Sequence, residues 1–213
     1  MKYNAEIVYS KRKTVSITVS ADNKVTLRCP VGYSRERAER FLIEKSEWID
    51  RAVKRNEIKL NLNADILAYE KVFVSGQKLP LYTGSKKKEI TESGVFVKSF
   101  RDLKKLYTDY FTENFKNRLH EISAQTGLKF NSVQIKSFKS RWGSCDGGNN
   151  ISFNYKIFML PDYIQYYIIV HELCHTVQHN HSQKFWQLVE KFVPDCKKVK
   201  KALHGYDFLT RLY

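Results

Sequence analysis

Apolar and polar residues alternate along Thr14 to Ser20, where Val15, Ile17 and Val19 share one side, and this period of two predicts a half-buried strand. Asp22-Asn23 supplies turn chemistry and Val25 to Arg28 resumes the pattern, so a hairpin is expected, stopped at Pro30. From Arg35 to Asn56 the period changes: Ala38, Phe41, Leu42, Trp48, Ile49, Ala52 and Val53 fall on one helical stripe, with Ser34 placed to cap it. Short strands are expected at Val72 to Val74 and Leu79 to Tyr82, about Gly76, and at Val95 to Lys98. Lys86-Lys87-Lys88 reads as an exposed turn.

A long helix follows, capped by Ser99 and closed by Gly127, whose buried face is Leu103, Leu106, Tyr107, Tyr110, Phe111, Phe115, Leu119 and Ile122. Strands at Ser132 to Phe138 and Asn150 to Asn154 flank a Gly-rich loop, Pro161 starts another helix, and two shorter helices near Gln183 to Phe192 and Asp195 to Leu203 close the chain. The expected class is α+β. A β-rich N-terminal region with one long helix, residues 1–95, precedes a region 96–213 that carries the candidate chemistry, with a soft boundary and the option of one integrated unit.

With 42% of its 213 residues apolar and 14% aromatic, the chain has material for a sizeable core, which excludes disorder, and nine Gly and four Pro exclude collagen-like or low-complexity classes. Met1 to Lys13 lacks the apolar stretch of a secretory signal, which predicts a cytoplasmic protein, and no apolar run approaches the length of a membrane span. Cys29, Cys145, Cys174 and Cys196 form no CxxC pair, so reduced thiols are expected. The net charge of +15 points to an anionic partner, nucleotide or nucleic acid.

Four of the six histidines lie in the string His171-Glu172-Leu173-Cys174-His175-Thr176-Val177-Gln178-His179-Asn180-His181. On a helix, His171 and His175 sit on one face a turn apart, where two imidazole nitrogens reach one metal ion. Glu172 is displaced from that direction yet near enough to take a proton from a metal-bound water, which is the chemistry of HExxH. A chance match is the alternative; burying two His and a Glu without a metal would be costly, and the apolar run Tyr163 to Val170 argues that this helix is buried. A catalytic zinc takes three protein ligands, so a third is needed. His181 leads, provided the helix ends before it, with Asn180 as the residue that turns the chain; His179 and Glu190 are the other candidates. His120 and His204 read as structural or exposed, and Cys174 as a small core residue.

Ser140-Arg141-Trp142-Gly143-Ser144-Cys145, Asn150-Ile151-Ser152-Phe153-Asn154, the HExxH string and Asn180-His181-Ser182 with Phe185-Trp186 together resemble the YgjP-like family of zinc metallopeptidases. The likeness extends upstream to Ser10-Lys11-Arg12-Lys13-Thr14, Ser34 to Ile49 and Val74-Ser75-Gly76, so it covers nearly the whole chain. The family is similar to a minimal zincin related to SprT-like proteases, which implies a zincin-like C-terminal domain, its HExxH helix packed on a small, mostly antiparallel sheet. The resemblance implies Zn2+ held by His171, His175 and His181, with Glu172 as base. Family members often carry a further His where Gln178 stands here.

Three functions compete. The first is a metallopeptidase acting on peptide or protein through a Glu172-activated water, with Arg141, Trp142 and Asn154 as substrate-facing residues and the strand Asn150 to Asn154 as the sheet edge for an extended peptide. The second is a metal-dependent hydrolase of a phosphoanhydride such as a nucleotide, favoured by Lys136, Lys139 and Arg141. The third is a nucleic-acid-associated protease, which only the charge supports, since no zinc-finger, RRM or homeodomain signature occurs.

Overall fold

The protein is described here by a computed structural model covering residues 4–20 and 22–212. The chain divides into two units, Met1–Leu67 and Ala68–Tyr213. The strands between residues 71 and 96, expected with the N-terminal region, therefore fall in the second unit.

In the first unit, β1 (Glu6–Ser10), β2 (Ser16–Val19) and β3 (Val25–Pro30) form a sheet ordered β1-β3-β2. The hairpin is the expected one, with Ile17 opposite Leu27 and Val19 opposite Val25. β1 runs parallel to β3 on its far side, and was not legible because Ile7 and Val8 are adjacent and never set a period of two. The expected single helix is two, α1 (Arg35–Glu44) and α2 (Ser46–Leu62), parted at Lys45. The stripe lapses between Leu42 and Ile49, where Ile43 and Trp48 are exposed, so apolar burial does not hold that turn. Ser34 does cap α1, its hydroxyl accepting from Arg37 N at 3.3 Å. Val25, Leu27 and Cys29 pack with Ala38, Leu42 and Ile49 as the core. A short helix, α3 (Ala64–Leu67), ends the unit.

The second unit opens with β4 (Lys71–Val74), β5 (Gln77–Tyr82), β6 (Glu89–Thr91) and β7 (Gly94–Phe96), ordered β4-β5-β7-β6. The β4–β5 turn runs through Ser75 and Gly76, both at positive φ, and its two amides donate to the carbonyls of Phe158 and Met159 at 2.9 Å. A Cβ on Gly76 would lie 2.6–3.0 Å from Pro161, so only glycine lets this turn brace the start of the histidine helix. The long helix α4 (Arg101–Thr126) buries Leu103, Leu106, Tyr107, Phe115, Leu119 and Ile122. Tyr110, expected inside, is exposed. Ser99 does not cap through its hydroxyl oxygen: its N–H and O–H both donate to the Asp102 carboxylate at 3.0 Å.

The third sheet joins β8 (Ser132–Lys136), β9 (Gly143–Cys145) and β10 (Asn150–Asn154) in the order β8-β10-β9. β10 pairs parallel with β8 and antiparallel with β9, so the sheet is mixed. β10 lies at its centre and is not the edge it was expected to be. A 3-10 turn, Tyr155–Met159, leads to α5 (Asp162–His175), followed by α6 (Gln183–Phe192), α7 (Cys196–Leu203) and a 3-10 turn, Asp207–Arg211. α5 is buried on nearly every side, from Ile164 to His175, as expected of a helix that is apolar all round. Lys156, 2% exposed, donates to the Thr210 carbonyl at 2.9 Å and so fixes the last turn from inside; burial lowers its amine to about 8. Among the described residues no helix is long and apolar enough to cross a membrane.

Candidate metal centre

α5 ends where it must for a third histidine to return. Thr176, Val177 and Gln178 make the last helix-type amide bonds, to Leu173 and Cys174, and the Thr176 hydroxyl also donates to the Leu173 carbonyl at 2.7 Å. The expected turning residue, Asn180, is not among the positive-φ residues. It acts instead through its side chain, whose carbonyl oxygen accepts from Ser182 N at 3.2 Å. The Ser182 hydroxyl in turn accepts from Phe185 N at 3.4 Å and starts α6. Two caps in succession thus fold the segment back over α5.

The result brings His171, His175 and His181 together, each offering one ring nitrogen, all within 4.8 Å of one another. His171 Nε2 and His181 Nε2 are 3.2 Å apart, close to the roughly 3.3 Å that two nitrogens about 2.0–2.1 Å from one tetrahedral zinc would show. His175 Nδ1 lies 3.0 Å from the Gln178 carbonyl. A carbonyl only accepts, so Nδ1 carries the proton and Nε2 turns its lone pair to the cluster. Burial, with the two neighbouring imidazoles and Lys200 adding to it, holds His171 neutral by lowering its pKa to about 3; burial lowers His175 as well. His171 Nδ1 is buried and has no hydrogen-bond partner among the described residues. Three converging imidazole nitrogens fit a borderline-soft divalent cation.

Phe185, fully buried, supports the group, its ring centroid 4.9, 4.3 and 4.9 Å from those of His171, His175 and His181. Trp186 stacks on His181 at 5.7 Å. Neither His179 nor Glu190 joins the cluster: His179 is exposed, and Glu190 pairs with Lys197 at 3.3 Å.

Glu172 is 6% exposed, and burial raises its carboxyl to about 8, with the Arg141 charge partly opposing. Its neighbour is β9. A Cβ on Gly143 would stand 2.6 Å from Glu172 Oε1, 2.7 Å from Cγ and 2.8 Å from Cδ. Gly143 is thus what lets the carboxylate occupy its place, a role that the sequence alone did not disclose. Gly143→Ala should displace that carboxylate, and any turnover that depends on its position should fall on the order of 10²-fold, with the three histidines untouched. Assay beside metal analysis checks this, and full activity would mean that the carboxylate position does not matter.

His171, His181 and Glu172 border a cleft of about 450 Å³ that Arg141, Trp142, Lys200, His204 and Asp207 also line. Trp142, 8% exposed, donates from Nε1 to Asp207 Oδ1 at 3.4 Å, and His204 Nδ1 lies 2.9 Å from Asp207 Oδ2. His204 is exposed, as expected, and also lines the cleft. Asn154 does not face it. It is fully buried, with its amide donating to the carbonyls of Phe138 and Arg141 at 2.9 and 3.0 Å, so it anchors the Arg141 loop from behind.

The family described as YgjP-like, metallopeptidase domain, matches residues 13–206. Among solved structures, the crystal structure of the metallopeptidase zymogen of Pyrococcus abyssi abylysin is similar at 23% identity and a TM-score of 0.39, over 42% of this chain and 90% of that one. No curated protein matches.

Proposed function

The chain belongs to the YgjP-like metallopeptidase family, and from that premise we propose that it is a zinc-dependent peptidase in which His171, His175 and His181 hold the metal and Glu172 is the general base. The carrying observation is the convergence of three imidazole nitrogens within 4.8 Å beside a buried carboxyl group. Zinc held there supplies Lewis acidity toward a scissile carbonyl and acidifies water.

The chain's own groups do the rest. Glu172 accepts the proton of the attacking water at a carboxylate oxygen and returns it to the leaving amide nitrogen, so the carboxylate is regenerated. Its burial strengthens it as a base relative to a solvated carboxylate. The Gln178 carbonyl holds the His175 ring in its tautomer, and Phe185 packs against all three imidazoles. The extended substrate lies along β9, which is bonded on one side to β10 and is the outer strand beside Glu172.

The test is metal analysis of the purified protein with a peptide-turnover assay. One zinc per chain is expected, with cleavage abolished by chelation and restored by added zinc. Undiminished cleavage by metal-free protein, or no cleavage of any peptide by the zinc-loaded protein, would overturn the reading.

A further inference from the structure

Two cations border the cleft without a carboxylate of their own. Arg141, on the loop before β9, places its guanidinium 5.8 Å from the Phe138 ring centroid, and Lys200, on α7, places Nζ 4.6 Å from that of Trp186. An aromatic face steadies a cation without neutralising it. Nearby lysines differ: Lys197 pairs with Glu190 at 3.3 Å and Lys198 with Asp195 at 2.8 Å, whereas neither Arg141 nor Lys200 is in an ion pair among the described residues.

The acids of the cleft are otherwise committed. Glu172 is buried against Gly143, and both oxygens of Asp207 are taken, by Trp142 Nε1 and His204 Nδ1. The cleft is thus lined by two cations outside any ion pair among the described residues, on two separate elements, next to where the scissile bond would lie.

We propose that Arg141 and Lys200 are specificity residues that select a peptide bearing a carboxylate beside the scissile bond, either an acidic side chain or a free C-terminus. The proposal rests on the metallopeptidase reading and names its substrate class. A guanidinium fork and an ammonium suit the same group, the first by paired hydrogen bonds and the second as a point charge.

The experiment uses labelled peptide twins that differ by Glu against Gln at one scanned position, each with a free and an amidated C-terminus. Binding is measured on zinc-loaded Glu172→Gln protein, which separates recognition from turnover, and kcat/KM on the wild type. Carboxylate twins should bind about tenfold to a hundredfold more tightly than amide twins. That ratio should shrink in Arg141→Gln and Lys200→Gln and turn in favour of the amide twins in Lys200→Glu. If amidation alone removes the preference, the carboxylate read is the terminus; if the scanned Glu carries it, the side chain. Equal binding and equal cleavage of all twins would overturn the proposal and leave the peptidase reading intact. No binding or cleavage of any twin would overturn both.

Discussion

Glu172→Gln should reduce peptide turnover by about 10²–10⁴-fold, the contribution typical of a positioned general base, while one metal ion per chain stays bound. The substitution is nearly isosteric, so the side chain still fits against Gly143, where the space is too small for an added Cβ. An amide cannot take up the proton that the carboxylate accepts. Glu172 stands outside the group of three nitrogens, so its loss as an acid leaves the ligand set complete. A core carboxyl with no catalytic part would behave in the opposite way. Its replacement would change stability, because burying an ionisable group is costly, and would leave turnover near the wild-type rate. Turnover within twofold of wild type, or loss of the metal, would count against the assignment.

The residues proposed to carry this chemistry were legible because their spacing is local. His171, Glu172 and His175 lie within one and a half turns of a helix, so the period of the helix alone puts them side by side. The core of α4 and the β2–β3 hairpin were legible for the same reason, each being set by a repeat of apolar residues along one segment. Contacts distant in the chain left no such trace. Gly143 reads as one glycine in a loop until β9 is seen against α5. Asn154 reads as a polar residue at a strand end, open to substrate, until its amide is found spanning to Phe138 and Arg141. His204 and Asp207 lie about thirty residues beyond the motif and reach the cleft only because α7 folds over α5. Gln178 shows the limit in another way: its backbone carbonyl orients His175, so the side chain at that position says nothing about the role. The net charge was legible but not its meaning, since no comparison supports the nucleotide or nucleic-acid partner it suggested.

His181→Ala should weaken metal binding by about 10²-fold or more and take peptide turnover below detection at limiting zinc, because a site of three protein ligands reduced to two loses both affinity and geometry. The return of His181 to α5 depends on two short polar contacts, Asn180 to Ser182 N and Ser182 to Phe185 N, and on the packing of Phe185 beneath all three rings. His181 is exposed and takes no part in the bond that caps α6, so the variant should fold and α6 should keep its cap. Metal content by mass spectrometry, with a thermal melt to confirm folding, separates loss of a ligand from loss of the fold. His179→Ala and Glu190→Gln should each retain the metal, the first because that ring is exposed and outside the cluster, the second because its carboxylate is engaged with Lys197. Retention of zinc in His181→Ala together with its loss in either of the other two would move the third ligand and, with it, the direction from which substrate approaches Glu172.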